Sequence, residues 1–216
     1  MSSDAAGRRG RLFVIAAPSG AGKTSLVRAL MEREPHLRFS ISYTTRRQRP
    51  AEVHGRDYFF VDRPTFEGMV ARDEFLEHAL VFDNYYGTSR RQVEDALAAG
   101  RDLILEIDWQ GARQVRRALP ECHSVFILPP SRTELERRLR GRATDAEDVV
   151  QRRLRDAAAD MTHWSEFDYV VVNDDFEQAV EELRSIVAGR GEASRSDAPR
   201  FERLASQLTD GEPAGA

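Results

Sequence analysis

One short segment of this chain has the residue types and spacing that bind the phosphates of a nucleoside triphosphate. It reads Ala17-Pro18-Ser19-Gly20-Ala21-Gly22-Lys23-Thr24. The glycines let the backbone curl so that successive amides point at one anion, and the lysine ammonium reaches the terminal phosphates. The threonine hydroxyl is a candidate ligand for Mg2+. We therefore predict a phosphate-binding loop over residues 17–24.

Composition sharpens this interpretation, because the loop holds the only lysine among 32 basic residues. Lys23 offers a compact ammonium on a flexible stem, which the planar fork of arginine cannot replace between two phosphates. Ala17 departs from the general motif, which opens with glycine. The departure matters only if this position needs a positive φ, which alanine disfavours.

The loop needs a strand before it and a helix after it, and the flanking sequence predicts both. Short apolar runs alternate with stretches of helical periodicity along the chain. We predict strands at residues 12–17, 102–107, 124–128 and 169–172, and helices at 24–33, 90–99, 110–119, 132–140, 146–161 and 175–188. This alternation predicts an α/β fold, with a parallel sheet flanked by helices.

The stretch from residue 38 to 88 has a different texture and is far too long for a simple connection. Short aromatic and β-branched runs surround one predicted helix near residues 64–72. We predict an inserted α+β subdomain that binds a second ligand, with the core formed by residues 10–37 and 89–189. Residues 1–9 are expected to be disordered. Residues 190–216 are expected to form a weakly ordered tail with one short helix around 201–208.

The predicted insert carries the chemistry of a site for a small phosphorylated acceptor. Residues 42–50 combine hydroxyls with three arginines, and Tyr58 follows them. Arginine forks and a phenol suit a monophosphate. Glu77 and Thr88 within the insert, and Glu106 and Asp108 at the end of a predicted core strand, add carboxylates and a hydroxyl.

Charge and composition bound the remaining possibilities. The net charge is −4 and the pI is about 5.8, which argues against general binding of nucleic acid. Most of the arginines are expected to be solvated on helix faces. The sequence has no apolar run of membrane-spanning length and a polar, arginine-bearing start, so we expect no membrane partner and a cytoplasmic location. The single cysteine, Cys122, excludes an internal disulfide.

Several separated motifs together resemble one family, the guanylate kinases, over residues 10–188. Besides residues 17–24, the resemblance rests on residues 42–50, 52–55, 84–88, 107–111, 139–142 and 172–175. It implies the P-loop NTPase fold of the nucleoside monophosphate kinases, with a mobile lid at about 138–155. It also implies phosphoryl transfer to GMP, and to dGMP, with ATP as the donor and Mg2+ as the cofactor.

The resemblance assigns roles on the GMP side of the reaction. The residues that would hold the GMP phosphate are Arg46, Arg49, Tyr58 and Tyr86. The residues that would read guanine are Glu77 and Asp108, accepting from N1–H and the 2-amino group, and Ser42 and Thr88, donating to O6. Adenine would leave these groups unpaired and be rejected.

On the ATP side, the resemblance implies that Lys23 and three lid arginines act on the transferring phosphoryl group. The lid arginines are Arg138, Arg142 and Arg153. Arg138 and Arg142 share a helical face if their helix continues through both. Glu106, where the family usually has aspartate, is expected to contact the substrate or Mg2+-bound water, and Ala143 replaces a common glycine in the lid.

Asn173 has two competing interpretations. The resemblance implies a contact with the adenine of ATP, whereas the run Asn173-Asp174-Asp175 is also typical of a helix cap.

Two other functions compete with a GMP-phosphorylating enzyme. One is a phosphopeptide-binding module that has lost catalysis, and the other is an enzyme acting on a ribose bisphosphate. The intact loop with Lys23 and Thr24 and the lid arginines favour an enzyme over the module. The guanine-reading set favours GMP over a sugar phosphate. We expect a monomer or small homo-oligomer.

Overall fold

The computed structural model describes residues 8–81, 83–141 and 147–209, which form two sheets and eight α-helices. The strands are β1 Leu12–Ala16, β2 Arg38–Phe39, β3 Tyr43–Thr44, β4 Phe59–Phe60, β5 Phe75–Val81, β6 Asn84–Ser89, β7 Leu103–Glu106, β8 His123–Leu128 and β9 Tyr169–Val172. The helices are α1 Lys23–Arg33, α2 Arg63–Ala71, α3 Arg90–Ala98, α4 Trp109–Ala118, α5 Arg132–Arg140, α6 Glu147–Met161, α7 Phe176–Val187 and α8 Pro199–Thr209.

The larger sheet has five strands in the order β2-β7-β1-β8-β9. The pairings of β2 with β7 and of β8 with β9 are parallel. Strand β1 is buried along its whole length, as expected for a strand covered on both faces. The α/β prediction is therefore confirmed. The two-residue strand β2 was not predicted, because it is too short to show a period.

The helix predictions are confirmed to within a few residues, and local capping explains several boundaries. Ser131 caps α5 by accepting a hydrogen bond from the Glu134 amide at 3.1 Å, as the Pro-Pro-Ser sequence predicts. The cap of α7 is Asp175, whose side chain accepts from the Gln178 amide at 2.8 Å. The run Asn173-Asp174-Asp175 therefore caps the following helix as one interpretation predicted, through Asp175 and not through Asn173.

Contacts between residues divide the chain into two compact units. One comprises the residues up to 14 together with 36–105 and 110–122, and the other comprises 15–35, 106–109 and the residues from 123 onwards. The first contains the four-stranded sheet, and the second contains the phosphate loop. In the second unit α8 packs against α6, with Phe201, Ala205 and Leu208 buried.

The four-stranded sheet has the order β4-β3-β6-β5 and forms the framework of the predicted insert. A hydrophobic cluster of Phe66, Met69 and Phe75 is buried here, and Tyr43 of β3 and Tyr85 of β6 pack against it. The rings of Phe66 and Phe75 stack with centroids 4.5 Å apart. Gly87 of β6 lies against both rings, and a Cβ atom there would fall 2.9 Å from the nearest ring atom of Phe75.

We expect Gly87→Ala to destabilise the protein by about 1–3 kcal/mol, because the added methyl overpacks a full aromatic cluster. The free energy of unfolding, measured by urea denaturation, checks this. Gly68→Ala on α2 is the matched control, because its new methyl meets only the far end of the Arg72 side chain. That control is expected to leave stability unchanged or to raise it. Equal stabilities for the two variants would contradict the packing argument.

Candidate active site

The phosphate loop turns through two glycines with left-handed backbone, Gly20 at φ 88° and Gly22 at φ 90°. In the described chain only Asp73 and Asp83 are non-glycine residues with positive φ, so Ala17 adopts ordinary backbone. The missing glycine therefore causes no strain at Ala17. Space also favours glycine at position 20, since a Cβ atom on Gly20 would lie 2.9 Å from Leu135 of α5.

Helix α1 begins at Lys23 directly after the loop, and among the described residues no side chain caps its first turn. Lys23 Nζ donates to the Ile107 carbonyl at 3.1 Å and lies 3.9 Å from Glu106 Oε1. Thr24 Oγ1 donates to the same Glu106 carboxylate. The ammonium, the hydroxyl and the carboxylate thus meet at the start of α1, next to amides that favour an anion.

The Thr24 and Glu106 pair fits a magnesium ion. Mg2+ prefers hard oxygen ligands and is commonly held by only one or two protein groups together with water and substrate phosphates. A hydroxyl and a carboxylate already in contact supply two such ligands. The described residues contain no cluster of three or more His, Cys, Asp or Glu side chains that could hold a metal.

The Asn173 side chain supports the phosphate loop through a hydrogen bond to its backbone. Its side chain is buried at 5% exposure, and Nδ2 donates to the Ala21 carbonyl at 2.7 Å. A Cβ atom on Gly22 would fall 2.3 Å from the same nitrogen, so Asn173 fills the space that a larger residue would need. Its observed role is to brace the phosphate loop, and an adenine contact by Asn173 stays a prediction.

Arg138 lies on α5 and is oriented by two acceptors. Its Nε donates to Glu134 at 2.7 Å, and Nη2 donates to the Asn173 carbonyl at 2.9 Å. Among the described residues its Nη1 is one of two buried side-chain polar atoms without a hydrogen-bond partner. Hydrogen bonds from Arg137 and Arg138 lower the pKa of Glu134 to about 2, so this carboxylate stays charged at neutral pH.

The other two predicted lid arginines have different outcomes. Helix α5 ends at Arg140, so the condition for Arg138 and Arg142 to share one helical face, a helix that continues through both, is not met. Arg142 and Ala143 lie outside the described residues. Arg153 lies on α6 and is partly buried.

The predicted phosphate-binding arginines of the insert follow β3. The Arg46 fork is bidentate on Glu52, with Nη2 to Oε1 at 2.7 Å and Nη1 to Oε2 at 3.1 Å. The Glu52 carboxylate also accepts from the Arg49 amide at 2.9 Å. This hydrogen bonding raises the pKa of Arg46 and lowers the pKa of Glu52. The Arg49 side chain itself is exposed.

The two predicted phosphate-binding tyrosines lie beside Arg46. The rings of Tyr58 and Tyr86 meet edge to face with centroids 6.1 Å apart, and the Arg46 guanidinium lies 5.3 Å from the Tyr58 ring centre. Arg46, Tyr58 and Tyr86 therefore form one cluster. Ser42, just before β3, is partly buried, and its carbonyl accepts from the Phe59 amide at 2.9 Å.

Glu77 and Thr88 form a buried pair across strands β5 and β6. They are 3% and 0% exposed, and Thr88 Oγ1 donates to Glu77 Oε1 at 2.5 Å. A carboxylate this deeply buried needs partners to stay charged. The structure thus brings together two of the residues expected to read guanine.

Asp108 is the other carboxylate that we expect to read guanine. It directly precedes Trp109, which begins α4 and belongs to a compact cluster. The Trp109 ring stacks on His163 with centroids 3.6 Å apart, and its Nε1–H donates to Asp160 at 3.0 Å. Burial, together with the charge of nearby Asp108, raises the pKa of Asp160 to about 6, although the Trp109 hydrogen bond opposes this.

Three residues that organise these groups were not predicted as site residues: Glu52, Glu134 and Asp160. Glu52 carried a readable signal, since it is a carboxylate shortly after a run of arginines. Glu134 also had one, because Arg138 follows it at i+4 on a predicted helix. Asp160 had none, because its partner Trp109 is distant in sequence.

The phosphate loop, the carboxylate beside it and the parallel sheet define a P-loop NTPase fold. Comparison with known proteins narrows the class. A family model described as guanylate kinase matches residues 9–190. The guanylate kinase of Methylococcus capsulatus is 58% identical over 200 residues, covering 93% of this chain and 98% of that protein. The guanylate kinase of Escherichia coli K12 is 50% identical over 202 residues, with the same coverage.

A solved structure agrees with these sequence matches. The crystal structure of guanylate kinase from Anaplasma phagocytophilum matches with a TM-score of 0.70 and 32% identity, covering 94% of this chain and 97% of that one. The chain belongs to the guanylate kinase family. In the described part of the chain, no helix has the length and apolar character needed to cross a bilayer.

The raised pKa of Asp160 predicts a pH-dependent cost of folding. Because the pKa of Asp160 is about 6 in the folded protein and the ordinary pKa of an aspartate is 3.8, the favourable contribution is present below pH 4 and is lost as the pH rises through 6. Asp160→Asn keeps an acceptor for Trp109 and cannot ionise. We expect its stability relative to the parent to increase by roughly 1 kcal/mol between pH 4.5 and 7.5, since the residue is partly solvated.

Urea denaturation at the two pH values measures this difference. Asp95→Asn, which changes a carboxylate that is 69% exposed on α3, is the matched control and is expected to show no such trend. A relative stability of Asp160→Asn that does not change with pH would contradict a raised pKa of Asp160 in the folded protein.

Proposed function

We propose that this protein transfers the terminal phosphoryl group of ATP to GMP, and to dGMP, giving ADP and GDP or dGDP. Membership of the guanylate kinase family supports this activity. Within the chain, the observation that carries it is the buried Glu77 and Thr88 pair in the same sheet framework as Arg46, Tyr58 and Tyr86. One unit thus contains a pair suited to recognising a base and a cluster suited to binding a phosphate. This combination suits a nucleoside monophosphate.

The donor side would hold ATP through the loop and the start of α1. The loop amides over residues 17–24 bind the phosphates, and Lys23 neutralises the terminal ones. Thr24, with Glu106 directly or through water, would hold Mg2+, which supplies further neutralisation of phosphate charge when bound. Asn173 keeps the loop in shape through Ala21, and we keep the adenine contact of Asn173 as part of the proposal.

On the acceptor side, Arg46, Arg49, Tyr58 and Tyr86 would hold the GMP phosphate. Glu52 fixes the orientation of the planar Arg46 guanidinium, so that little rotamer entropy would be lost when the phosphate binds. Glu52 uses one edge of the guanidinium, and the fork has five N–H donors, so further donors serve the phosphate.

Guanine recognition would involve an exchange of hydrogen bonds at the Glu77 and Thr88 pair. A threonine hydroxyl has one hydrogen, and Thr88 gives it to Glu77. When GMP binds, guanine N1–H and the 2-amino group would donate to Glu77, in place of Thr88, and to Asp108. Thr88 would then turn to guanine O6 together with Ser42. Adenine lacks N1–H and carries a donor at position 6, so it cannot complete the exchange.

The transfer itself needs no general base, because the GMP phosphate oxygen is already an adequate nucleophile. That oxygen forms a bond to the γ-phosphorus while the bond from this phosphorus to the β,γ-bridging oxygen breaks, and ADP leaves. Catalysis then rests on alignment and charge neutralisation. Lys23, Arg138, Arg142 and Arg153 would stabilise the transferring group, with residues 138–155 closing as a lid that excludes water. We place the enzyme in the cytoplasm, where both nucleotides are available.

A coupled assay of ADP production tests the activity. We expect Mg2+-dependent turnover with GMP and dGMP, and much slower turnover with AMP, UMP and ribose phosphates. Turnover with AMP equal to that with GMP would contradict guanine reading. Saturable phosphopeptide binding without turnover of any acceptor would favour the binding module instead.

Glu77→Gln tests the specificity assignment. Glutamine can still accept from Thr88, so the fold is retained, but an amide cannot offer two acceptors to N1–H and the 2-amino group. We expect kcat/KM for GMP to fall about a hundredfold with ATP affinity unchanged. Steady-state kinetics and ATP titration measure both quantities. Glu94→Gln, on the exposed face of α3, is the matched control, and unchanged GMP kinetics in Glu77→Gln would refute the role.

A further inference from the structure

The strand that carries Glu77 lies at the edge of its sheet. Strand β5 pairs with β6 on one side, and among the described residues no strand follows it in the order β4-β3-β6-β5. The backbone groups on the outer side of an edge strand need other partners. At His78, the residue after Glu77, the Gln114 side chain of α4 supplies them.

Gln114 binds both backbone groups of His78. Its Nε2 donates to the His78 carbonyl at 2.8 Å, and its Oε1 accepts from the His78 amide at 3.1 Å. A planar carboxamide presents a donor and an acceptor side by side, as the backbone of a neighbouring strand does. One side chain thus replaces one residue of a missing strand, and both groups are partly buried.

This contact lies directly beside an irregularity in the strand. Phe75 pairs with Ser89 and Glu77 with Thr88, so β5 contains one more residue than β6 between the two pairs. A β-bulge of this kind redirects the side chains next to it. Because side chains alternate between the faces of a strand, a shift of one residue would turn Glu77 away from Thr88. An anchor at His78 holds the register just after the bulge.

The precision required at Glu77 is high. Its carboxylate must present two acceptors to guanine from a site where it is 3% exposed. A displacement of about 1 Å in a positioned group can cost up to a hundredfold in rate. The Gln114 hydrogen bonds add a polar restraint to a strand whose packing loosens towards Leu80, which is 57% exposed.

We propose that Gln114 is a positioning residue for guanine recognition, acting through the His78 backbone on the direction of Glu77. The proposal rests on GMP being the acceptor. Gln114 itself lies on α4 and is assigned no contact with a nucleotide. Its loss is therefore expected to impair acceptor binding and selectivity and to spare the ATP side.

The test compares Gln114→Met, which keeps the length of the side chain and removes both hydrogen bonds, with Gln207→Met on an exposed position of α8. The measured quantities are KM for GMP, KM for ATP, kcat, and the ratio of kcat/KM for GMP to that for IMP. IMP lacks the 2-amino group, so this ratio reports on the Glu77 acceptors. For Gln114→Met we expect about a tenfold higher KM for GMP, a smaller GMP-to-IMP ratio and an unchanged KM for ATP.

A second variant and a second measurement guard against misfolding of the first. Gln114→Glu keeps the acceptor for the His78 amide but places a carboxylate against the His78 carbonyl, and it is expected to raise KM for GMP as well. Hydrogen exchange of the β5 peptide is expected to be faster in both variants.

Three results decide the matter. Parental KM for GMP and a parental GMP-to-IMP ratio in folded Gln114 variants would overturn the proposal. An equal loss with every acceptor and with ATP would overturn it too, since that marks a general structural role. Failure of the unsubstituted protein to phosphorylate GMP would overturn the proposed function first, and with it this inference.

Discussion

The shape of the phosphate loop is the constraint on which the donor side of this protein depends. The chain must leave β1 and enter α1 with several amides directed at one point, and only a narrow set of backbone angles allows this. Gly20 and Gly22 supply the left-handed residues. Larger residues are disfavoured at both positions, because Leu135 and Asn173 occupy the space where their side chains would be. The Asn173 bond to Ala21 extends this support to the carbonyl side of the loop.

Two arginines of the predicted site, Arg46 and Arg138, are oriented by carboxylates. Arg46 is held by Glu52, and Arg138 by Glu134, in each case with side chains less than a quarter exposed. Such pairs have modest value for stability. In the proposed function, their larger effect is to fix a flexible side chain before a phosphate binds, while the guanidinium keeps further donors. The same logic applies at Glu77, where the Thr88 hydroxyl holds a buried carboxylate in place.

The sequence predicted the parts of the structure that leave a local signal. The apolar run of β1, the glycines and lysine after it, and the helical periods of α5 and α7 all appear where they were expected. Strand β2 was missed because two residues carry no period, and it exists only through its pairing with β7. The end of α5 at Arg140 was predicted, whereas the arginine-rich sequence left open whether the helix continued to Arg142.

Contacts between residues that are distant in sequence were the other feature that could not be predicted. Asn173 lies 152 residues from Ala21, and no pattern in either segment indicates that they touch. The stack of Trp109 on His163 is of the same kind. Where the partner was near, as with Glu52 and Arg46, a spacing argument could have found it. Local chemistry was therefore predictable, and the groups that orient it became visible only in the fold.

In the proposed mechanism, the loop is built around one ammonium, and arginine serves the other phosphate contacts. Lys23 Nζ reaches the Ile107 carbonyl and the Glu106 carboxylate, a space that the wider guanidinium does not match. The most direct measurement is kcat for GMP phosphorylation in Lys23→Arg, with Arg28→Lys on the exposed face of α1 as the matched control. The account predicts a loss of at least about a hundredfold in Lys23→Arg and near-parental activity in the control. Near-parental activity in Lys23→Arg would show that the single lysine has no special role, and would contradict it.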